Sequence, residues 1–283
     1  MNSTERPVLR RIQSPLLALR REVTAFAAVT VRVCLTNYRA YKASTTIGQL
    51  VEGIAVVGMS VLLYQRVFAG QVTESFKRLT GGDYLGFVMF GVLFYAFSES
   101  ALLTVSRAFA SERRENTFEL FVATPAGRHG YFLGYLVGQL VSSAPSILAL
   151  YLASLAMGIH LRFAGLGDLF FILAIASVGL VGFGVVVGLV ATAVRDLYSV
   201  QNTMVYVVYF LSGVLFPVEY LPVPLRLLSL GLPTAHGLRA LRYLEAGGQG
   251  HPYVALAVVS VFWYVAAILL YRRLEVQSPE VLL

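Results

Sequence analysis

The residues from which a chemical site could be built are few and scattered in this sequence of 283 residues. The four histidines are isolated and show no His-Glu-x-x-His spacing of a metal-binding helix. The single cysteine excludes an internal disulfide framework and a multi-cysteine zinc site. Lys42 and Lys77 follow Tyr41 and Phe76, so neither stands in the Gly-Lys-Ser/Thr of a phosphate-binding loop. We therefore expect no catalytic residue, no metal site and no nucleotide site in this chain.

One compact charged group stands between two long apolar stretches, and we call residues 111–125 the charged island. Ser111 suits a helix cap, and Glu112 and Glu115 favour the positive N-terminal end of a helix. Thr124-Pro125 would end that helix. Three apolar side chains share one of its faces: Phe118, Phe121 and Val122. The pattern predicts a short amphipathic helix that could fill a groove on another protein, and an ordinary solvated loop is the alternative.

Two carboxyl groups, Glu52 and Glu99, lie within apolar stretches. A charged carboxylate near the bilayer centre costs about 2.5–3.5 kcal/mol on insertion scales, so each should face protein or water. Both are candidates for a substrate path or a proton contact, and an interhelical hydrogen bond or a neutral acid is the alternative. We add Tyr206, Tyr209 and Phe210 as candidate path residues, although aromatic side chains in helices also serve packing.

The stretch after residue 210 contains a candidate outer gate made of Phe216, Pro217 and His236. A local hydrogen-bonding role is the simpler interpretation of His236, which precedes a glycine. Glycines also recur at intervals of four residues, a spacing that lets helices approach closely. They are Gly130, Gly134 and Gly138, and separately Gly184 and Gly188. We predict that they pack helices within one bundle rather than at a dimer seam.

The composition predicts an integral membrane protein. Hydrophobic residues make up 57% of the chain, charged residues only 13%, and the mean hydropathy is +0.73. Soluble domains carry about 25% charged residues, which this chain could not supply to its surface. The net charge of +7 would also suit a nucleic-acid partner, but the apolar runs favour basic loops beside a membrane.

Six stretches are long and apolar enough to cross a hydrocarbon core about 30 Å thick. We therefore predict an all-α protein with six transmembrane helices at residues 47–64, 84–106, 131–159, 169–194, 200–218 and 253–271. With the N-terminus in the cytoplasm, 15 of the 22 Lys and Arg residues fall on the inner side. The outer side then holds seven, Arg239 and Arg242 among them. This bias predicts that both termini are cytoplasmic.

The flanking segments complete the predicted domain organisation. Residues 1–45 lack a signal-peptide pattern and predict a cytoplasmic tail with an amphipathic helix along the inner membrane surface. Residues 46–271 form the membrane domain, and residues 272–283 form a cytoplasmic tail. Residues 217–250 are too apolar for a loop and too rich in proline to span. We predict two short helical pieces that enter the outer leaflet and return.

Two motifs resemble the permease subunits of type-2 ATP-binding-cassette exporters. "SERRENTFELFVATPAGRHGYFLG" is similar to the coupling-helix region of that family, approximately Glu-Arg-x-x-Gly-Thr-x-Glu-x-Leu and then Pro. Asn116 stands where glycine is usual. "LSGVLFPVEYLP" with "LPTAHGLRALRYL" resembles the stretch that follows the family's fifth span. Together with the six-span order, the resemblance covers most of the chain.

The resemblance implies a half-transporter in a prokaryotic inner membrane. A second copy or a paralogue would complete the path, and two copies of a separate ATPase subunit would bind ATP and Mg. The ATPase-coupling residues carried over are Glu112, Arg113, Arg114, Glu115, Thr117, Phe118, Glu119, Phe121 and Pro125. Membrane lipid is a further expected partner, and nucleic acid is not.

The cargo expected from the resemblance is lipophilic or amphipathic, such as a drug or a lipid-like molecule. A polysaccharide or glycolipid is the alternative within the same family. From other classes, a secondary transporter or a membrane-embedded enzyme is possible. A secondary transporter usually has inverted repeats and helices broken near the middle of the membrane, and the sequence shows neither.

Overall fold

The computed structural model describes residues 23–24, 26–32, 34–35, 42–67, 69–80, 83–114, 128–156, 158–159, 166–194, 196–245 and 253–277. These residues form helices and short connections, with no β-strand among them. The helices are α1 (Lys42–Leu62), which continues as a π-helical turn (Leu63–Val67), α2 (Glu74–Thr80), α3 (Tyr84–Arg114), α4 (Arg128–Ala156), α5 (Leu166–Val194), α6 (Leu197–Leu211), a 3₁₀ turn (Val218–Tyr220), α7 (Val223–Ser229), α8 (Pro233–Glu245) and α9 (Tyr253–Gln277). The prediction of an all-helical protein is confirmed for this part of the chain.

Among the described residues, three helices are long and apolar enough to cross a membrane. The spanning segments are Tyr84–Arg107 in α3, Gly167–Val194 in α5 and Tyr253–Leu270 in α9. Two further helices have shorter apolar segments, Gly53–Arg66 and Ser143–Ala156. The length and composition of these helices are consistent with an integral membrane protein, and the count of six spans stays a prediction.

The fifth predicted span ends earlier than its hydropathy indicated. The sequence stays apolar to residue 218, but α6 ends at Leu211. Gly213 then adopts φ +76°, a left-handed conformation that stops a helix, and Pro217 follows it. At 15 residues α6 is about 22 Å long, which is shorter than the hydrocarbon core of a bilayer.

The middle of the bundle is formed by α3 and α5. Nearly every α3 residue from Phe87 to Leu102 is buried, and α5 packs against both α3 and α9. Glycines allow these close approaches: a methyl group at Gly182 would overlap the backbone of Trp263 in α9. At Gly184 it would overlap Val105 in α3. Gly184 therefore packs within the bundle, as its spacing with Gly188 predicted.

Two glycines of α4, Gly134 and Gly138, face the helical residues near the N-terminus. A methyl group at Gly134 would meet the Cβ atom of Val29, and the Thr30 hydroxyl donates to the Gly134 carbonyl at 3.3 Å. One turn further on, the Cys34 thiol lies 4.0 Å from the Gly138 carbonyl. Gly134 and Gly138 thus pack helices of one chain. Whether this N-terminal segment lies along the membrane surface stays a prediction.

α9 lies at the edge of the bundle. Its side chains Leu256, Ser260 and Ala267 are buried, whereas most others are exposed. The exposed apolar residues of α9 are Val254, Val258, Val261, Phe262, Val265, Leu269 and Leu270. An apolar face of this extent suits contact with lipid.

Candidate functional site

A small cleft lies between α1, α3, α4 and α6, and we call it the Glu99 cleft. Its lining consists of Gly53, Val56, Val92, Tyr95, Ala96, Glu99, Leu150 and Tyr209. Two of the predicted path residues, Glu99 and Tyr209, therefore meet at one place. Sequence reasoning missed Tyr95, although it lies one helical turn before Glu99 on the same face of α3.

The two tyrosines of the Glu99 cleft pack edge to face. The ring centroids of Tyr95 and Tyr209 are 4.8 Å apart, with an interplanar angle of 69°. The Tyr95 hydroxyl donates to the Val205 carbonyl of α6 at 3.4 Å. These contacts join α3 to α6 and give the cleft an aromatic wall beside its carboxyl group.

The other predicted path residues are not among those that line the Glu99 cleft. Glu52 belongs to α1, directly before the cleft residue Gly53, but its side chain lies outside the described part of the chain. Tyr206 is 71% exposed and Phe210 50% exposed, both on the outward face of α6. The structure therefore does not bring Tyr206 and Phe210 into the cleft.

The three residues of the predicted outer gate are held within the protein. The Phe216 ring packs edge to face on Phe210, with centroids 5.6 Å apart. Pro217 is buried and precedes the 3₁₀ turn. His236 is 8% exposed, and its Nε2 lies 2.9 Å from the Leu230 carbonyl. Because a carbonyl only accepts, this contact requires the proton on Nε2.

Burial lowers the pKa of His236 below its ordinary value of 6.5, and the positive charge of Arg239 acts in the same direction. The hydrogen bond to the Leu230 carbonyl opposes this shift. A neutral imidazole in α8 thus holds the turn after α7. The indole of Trp263 in α9 donates to the next carbonyl, that of Gly231, at 2.7 Å.

Arg242 of α8 fastens the start of α3 to the turn after α6, and we call this contact the Arg242 junction. One terminal nitrogen, Nη1, donates to the Gly213 carbonyl at 2.7 Å. The other, Nη2, donates to the carbonyls of Phe87 at 2.9 Å and Val214 at 3.1 Å. The guanidinium carbon lies 3.3 Å from the centroid of the Phe87 ring. Sequence reasoning treated Arg242 only as one basic charge among seven.

Glycine makes room for the Arg242 junction. A methyl group at Gly91 would overlap the Val214 carbonyl oxygen and crowd Nη2 of Arg242. Gly237 of α8 likewise lies directly against the Phe94 ring of α3. Because neither residue has a side chain, α3 can pack closely against the turn after α6 at Gly91 and against α8 at Gly237.

A second polar contact joins the end of α3 to the beginning of α6, and we call it the Gln201 junction. The Gln201 side-chain amide donates to the Ser106 hydroxyl at 2.5 Å, and Ser106 donates to the Leu102 carbonyl at 2.6 Å. Arg107 Nε donates to the Gln201 side-chain oxygen at 3.4 Å. Gln201 is 1% exposed and Ser106 fully buried. The sequence does contain a signal for this contact, since Gln201 is a polar residue within the largely apolar α6. Sequence reasoning missed it.

The charged island lies only partly within the described chain. α3 continues without a break through residues 111–114, so Ser111 lies inside a helix and is not the start of a new one. The structure therefore does not show the predicted N-terminal helix cap at Ser111. Residues 115–127 lie outside the described residues, and so do the side chains of residues 108–114. The roles of Glu112, Arg113, Arg114, Glu115, Thr117, Phe118, Glu119, Phe121 and Pro125 stay predictions.

Comparisons with known proteins cover most of the chain. The family model described as ABC-2 type transporter matches residues 24–246, a region that includes the Glu99 cleft, both junctions and the charged island. The chain is also similar to Nodulation protein J of Rhizobium leguminosarum bv. trifolii. The two are 24% identical over 195 residues, which cover 69% of this chain and 71% of the relative.

Proposed function

Because this chain belongs to the ABC-2 type transporter family, we propose that it is the membrane-spanning permease subunit of an ATP-driven exporter. Family membership implies partnership with an ABC ATPase. In the proposed complex, two ATPase subunits bind ATP and Mg, and a second permease copy or paralogue completes the path. Both termini face the cytoplasm of a prokaryotic cell with the subunit in its inner membrane.

The observation that carries this proposal is the continuity of α3. Its apolar segment ends at Arg107, but the helix runs on to Arg114. These seven further residues extend it by about 10 Å. The beginning of the charged island is therefore a rigid extension of the most buried spanning helix. An ATPase that moved the island would move α3 with it.

The proposed cargo is lipophilic or amphipathic. Five of the eight residues that line the Glu99 cleft are apolar side chains or glycine, and the exposed face of α6 carries aromatic rings at Tyr206 and Phe210. Such surfaces suit an apolar body with few polar groups. A polysaccharide or glycolipid is the alternative within the family, and the name of the nodulation relative specifies no cargo.

Co-purification with a co-expressed ABC ATPase tests the proposal. We expect the double variant Glu112→Ala/Phe118→Ala to insert normally but to lose the ATPase or its coupled activity, because both docking side chains are removed. The matched control is Glu219→Ala/Tyr220→Ala, which removes an acid and an aromatic ring that are exposed elsewhere. Glu219 pairs with Arg239 at 3.5 Å, and an exposed pair of this kind contributes about 0–1 kcal/mol.

Two results would contradict this assignment. If the island variant recovers as much ATPase as the control, with unchanged activity, the island is not the coupling element. If no ATPase binds the unaltered chain, the exporter proposal itself is wrong. Membrane insertion and elution as a single species would be checked for both variants before either result is read.

A further inference from the structure

We propose that α7 binds an anionic phospholipid of the surrounding bilayer, with Arg226 on the phosphate and the apolar side chains of α7 against an acyl chain. This inference goes beyond the proposed function, because it concerns the lipid around the subunit and neither the cargo nor the ATPase. Three observations carry it: the depth of α7 beside the spanning helices, its exposed apolar side chains, and one exposed cation among them.

The turn that follows α7 lies beside the middle of a spanning helix. The indole nitrogen of Trp263 donates to the Gly231 carbonyl at 2.7 Å. Trp263 is ten residues from Tyr253, where the spanning segment of α9 begins, and seven residues from Leu270, where it ends. These separations are about 15 Å and 10 Å along the helix. The turn at Gly231 is therefore well within the apolar thickness of the protein.

From this depth, α8 returns toward the beginning of α3. Gly237 lies directly against the ring of Phe94, which is ten residues inside the spanning segment of α3. Five residues further along α8, Arg242 donates to the carbonyl of Phe87, only three residues inside the same segment. The turn between α7 and α8 is thus the deepest part of this region, measured from the side of the bundle where α3 begins.

Arg226 lies close to that turn. The backbone amide of Leu230 donates to the Arg226 carbonyl at 3.2 Å, so the chain is still helical as it approaches Gly231. Five residues of helix span about 7.5 Å. Before α7, Glu219 pairs with Arg239, which belongs to the part of α8 nearer the start of α3. Arg226 therefore lies between the deep turn and the surface of the apolar layer.

The side chains around Arg226 form an exposed apolar surface. Four of them have exposed fractions between 43% and 67%: Val223, Leu227, Leu228 and Leu230. At the depth given by the Gly231 turn, an exposed apolar surface is surrounded by acyl chains and not by water. Such a surface suits one chain of a phospholipid.

Arg226 is the cation within this surface. Its side chain is exposed, and in the part of the chain that the structure describes its guanidinium makes no hydrogen bond or ion pair. The acid nearest to it in sequence, Glu219, is paired with Arg239 at 3.5 Å. A positive charge inside the apolar layer is costly without an anion or water. The long arginine stem lets the guanidinium reach the headgroups, where it binds two oxygens of a phosphate.

A phospholipid suits this surface better than a second copy of the chain. A second copy would cover the apolar side chains equally well. A symmetric contact through α7, however, brings the same residues of both copies together, so the two Arg226 side chains would repel each other. A phospholipid supplies both the opposite charge and the apolar chain.

Photolabelling of the full chain in nanodiscs tests this proposal. The nanodiscs consist of phosphatidylcholine with a small fraction of either phosphatidylglycerol or phosphatidylcholine that carries a diazirine in one acyl chain. Mass spectrometry then measures the label on residues 220–231 and on the exposed face of α9. That face, from Val254 to Val265, is the internal control, because it is apolar and has no charged residue.

We expect residues 220–231 to carry about three to five times more label from phosphatidylglycerol than from phosphatidylcholine, since an arginine near the headgroups attracts anionic lipid to about this extent. The two lipids should label α9 equally. Arg226→Gln should lower the ratio at α7 to about one, and Arg226→Lys should keep part of it, because lysine has the charge without the fork. Arg78→Gln, which removes an exposed cation from α2, is the matched control and should leave the ratio unchanged.

Equal labelling of α7 by the two lipids would overturn the proposal, and so would a preference that survives Arg226→Gln or falls equally in Arg78→Gln. Label on α9 with none on α7 would also overturn it, because protein would then cover α7. A disulfide between copies of the Cys34→Ser/Leu227→Cys variant would in that case identify the cover as a second copy.

The fold and the proposed function are separated from this result. Because Arg226 is exposed, each of its variants should melt at the temperature of the unaltered chain, measured in the same nanodiscs. The labelling uses no ATPase and no cargo. Failure of the exporter proposal would therefore leave the lipid preference of α7 in place, and loss of that preference would leave the exporter proposal in place.

Discussion

The two ends of α3 are joined to the rest of the protein by different chemistry. At its beginning, the Arg242 junction places one guanidinium on three backbone carbonyls and on the Phe87 ring. At its end, the Gln201 junction links side chains to each other. Phe87 and Arg107 are about 30 Å apart along the helix, so the junctions lie near opposite faces of the hydrocarbon core.

The difference lies in how freely each junction can adjust. The carbonyls held by Arg242 belong to a helix and a turn, and the planar guanidinium presents its donors in a fixed fork. At the other end, the hydrogen bonds of Gln201 and Arg107 are made by side-chain atoms, whose positions depend on side-chain torsions as well as on the backbone. We therefore expect α3 to be anchored at the Arg242 junction and adjustable at the Gln201 junction, which lies nearer the charged island.

The largest effect should come from breaking the anchored end. Arg242→Met removes the charge and the donors but keeps a long apolar stem. We expect the free energy of unfolding to fall by about 3 to 5 kcal/mol, because three buried carbonyls lose a charged donor. Arg242→Lys should recover part of this loss, since lysine keeps the charge without the fork. Denaturation in mixed micelles measures both variants.

Arg239→Met is the control for this prediction. Arg239 lies one turn earlier in α8, and its pair with Glu219 is about half exposed. A change of less than about 1 kcal/mol is expected there. If Arg239→Met destabilises the chain as much as Arg242→Met, the anchor assigned to Arg242 is wrong.

A smaller loss of unfolding free energy should follow when a methyl group crowds the Arg242 junction without removing its hydrogen bonds. Gly91→Ala places a methyl group against the Val214 carbonyl and Arg242, which should cost about 1–3 kcal/mol of unfolding free energy. Gly58→Ala is the matched control, because no atom lies within 4 Å of the added methyl group. That variant should be neutral or more stable by up to about 1 kcal/mol, owing to better helix propensity. Equal melting temperatures for the two variants would contradict the close approach at Gly91.

The adjustable end should show a modest loss of stability with a clear loss of coupling. Gln201→Leu removes the link between α6 and Ser106, and we expect a cost of about 1–2 kcal/mol in unfolding free energy. In the complex with the ATPase, the transport-coupled ATPase rate should fall roughly 2- to 30-fold. Asn202→Leu changes the neighbouring amide, which is exposed, and should leave both measurements unchanged. Full coupling in Gln201→Leu would argue against an adjustable link.

The smallest effect concerns pH at the anchored side of the bundle. The pKa of His236 is lower in the folded chain than its ordinary value of 6.5, so the unfolded chain binds the proton more readily. Its contribution to stability is therefore complete above about pH 6.5 and is lost as the pH falls through the folded pKa. His236→Gln should flatten that acid-side decline in melting temperature. An unchanged decline would assign the pH dependence to other groups.

Hydropathy predicted where the apolar helices lie, because burial and lipid contact both require apolar side chains. It misplaced the end of α6, since Val214, Leu215 and Phe216 continue the apolar run after Gly213 has turned the backbone. The glycine spacing in α4 and α5 correctly indicated packing within the chain. Periodicity could not indicate its partners, which lie on helices distant in sequence.

The Arg242 junction was beyond sequence reasoning for a different reason. Its acceptors are backbone carbonyls, which every residue possesses, so the sequence carries no mark of them. Phe87 lies 155 residues from Arg242, and Val214 lies 28 residues away. Tyr209 and Glu99 could be nominated by residue type, but only the antiparallel packing of α3 and α6 brings them into one cleft.

The central position of α3 also has a consequence for how the protein is assembled at the ribosome. Phe87 is synthesised 155 residues before Arg242. At about 5–20 residues per second, roughly 8 to 30 seconds separate them. During that interval α3, which carries Glu99 and is the least apolar of the three spanning helices, has not yet formed its hydrogen bond with Arg242. A chain truncated before α8 would lack the Arg242 junction. Its α3 would then be exposed to lipid and to the proteases that remove incomplete membrane proteins.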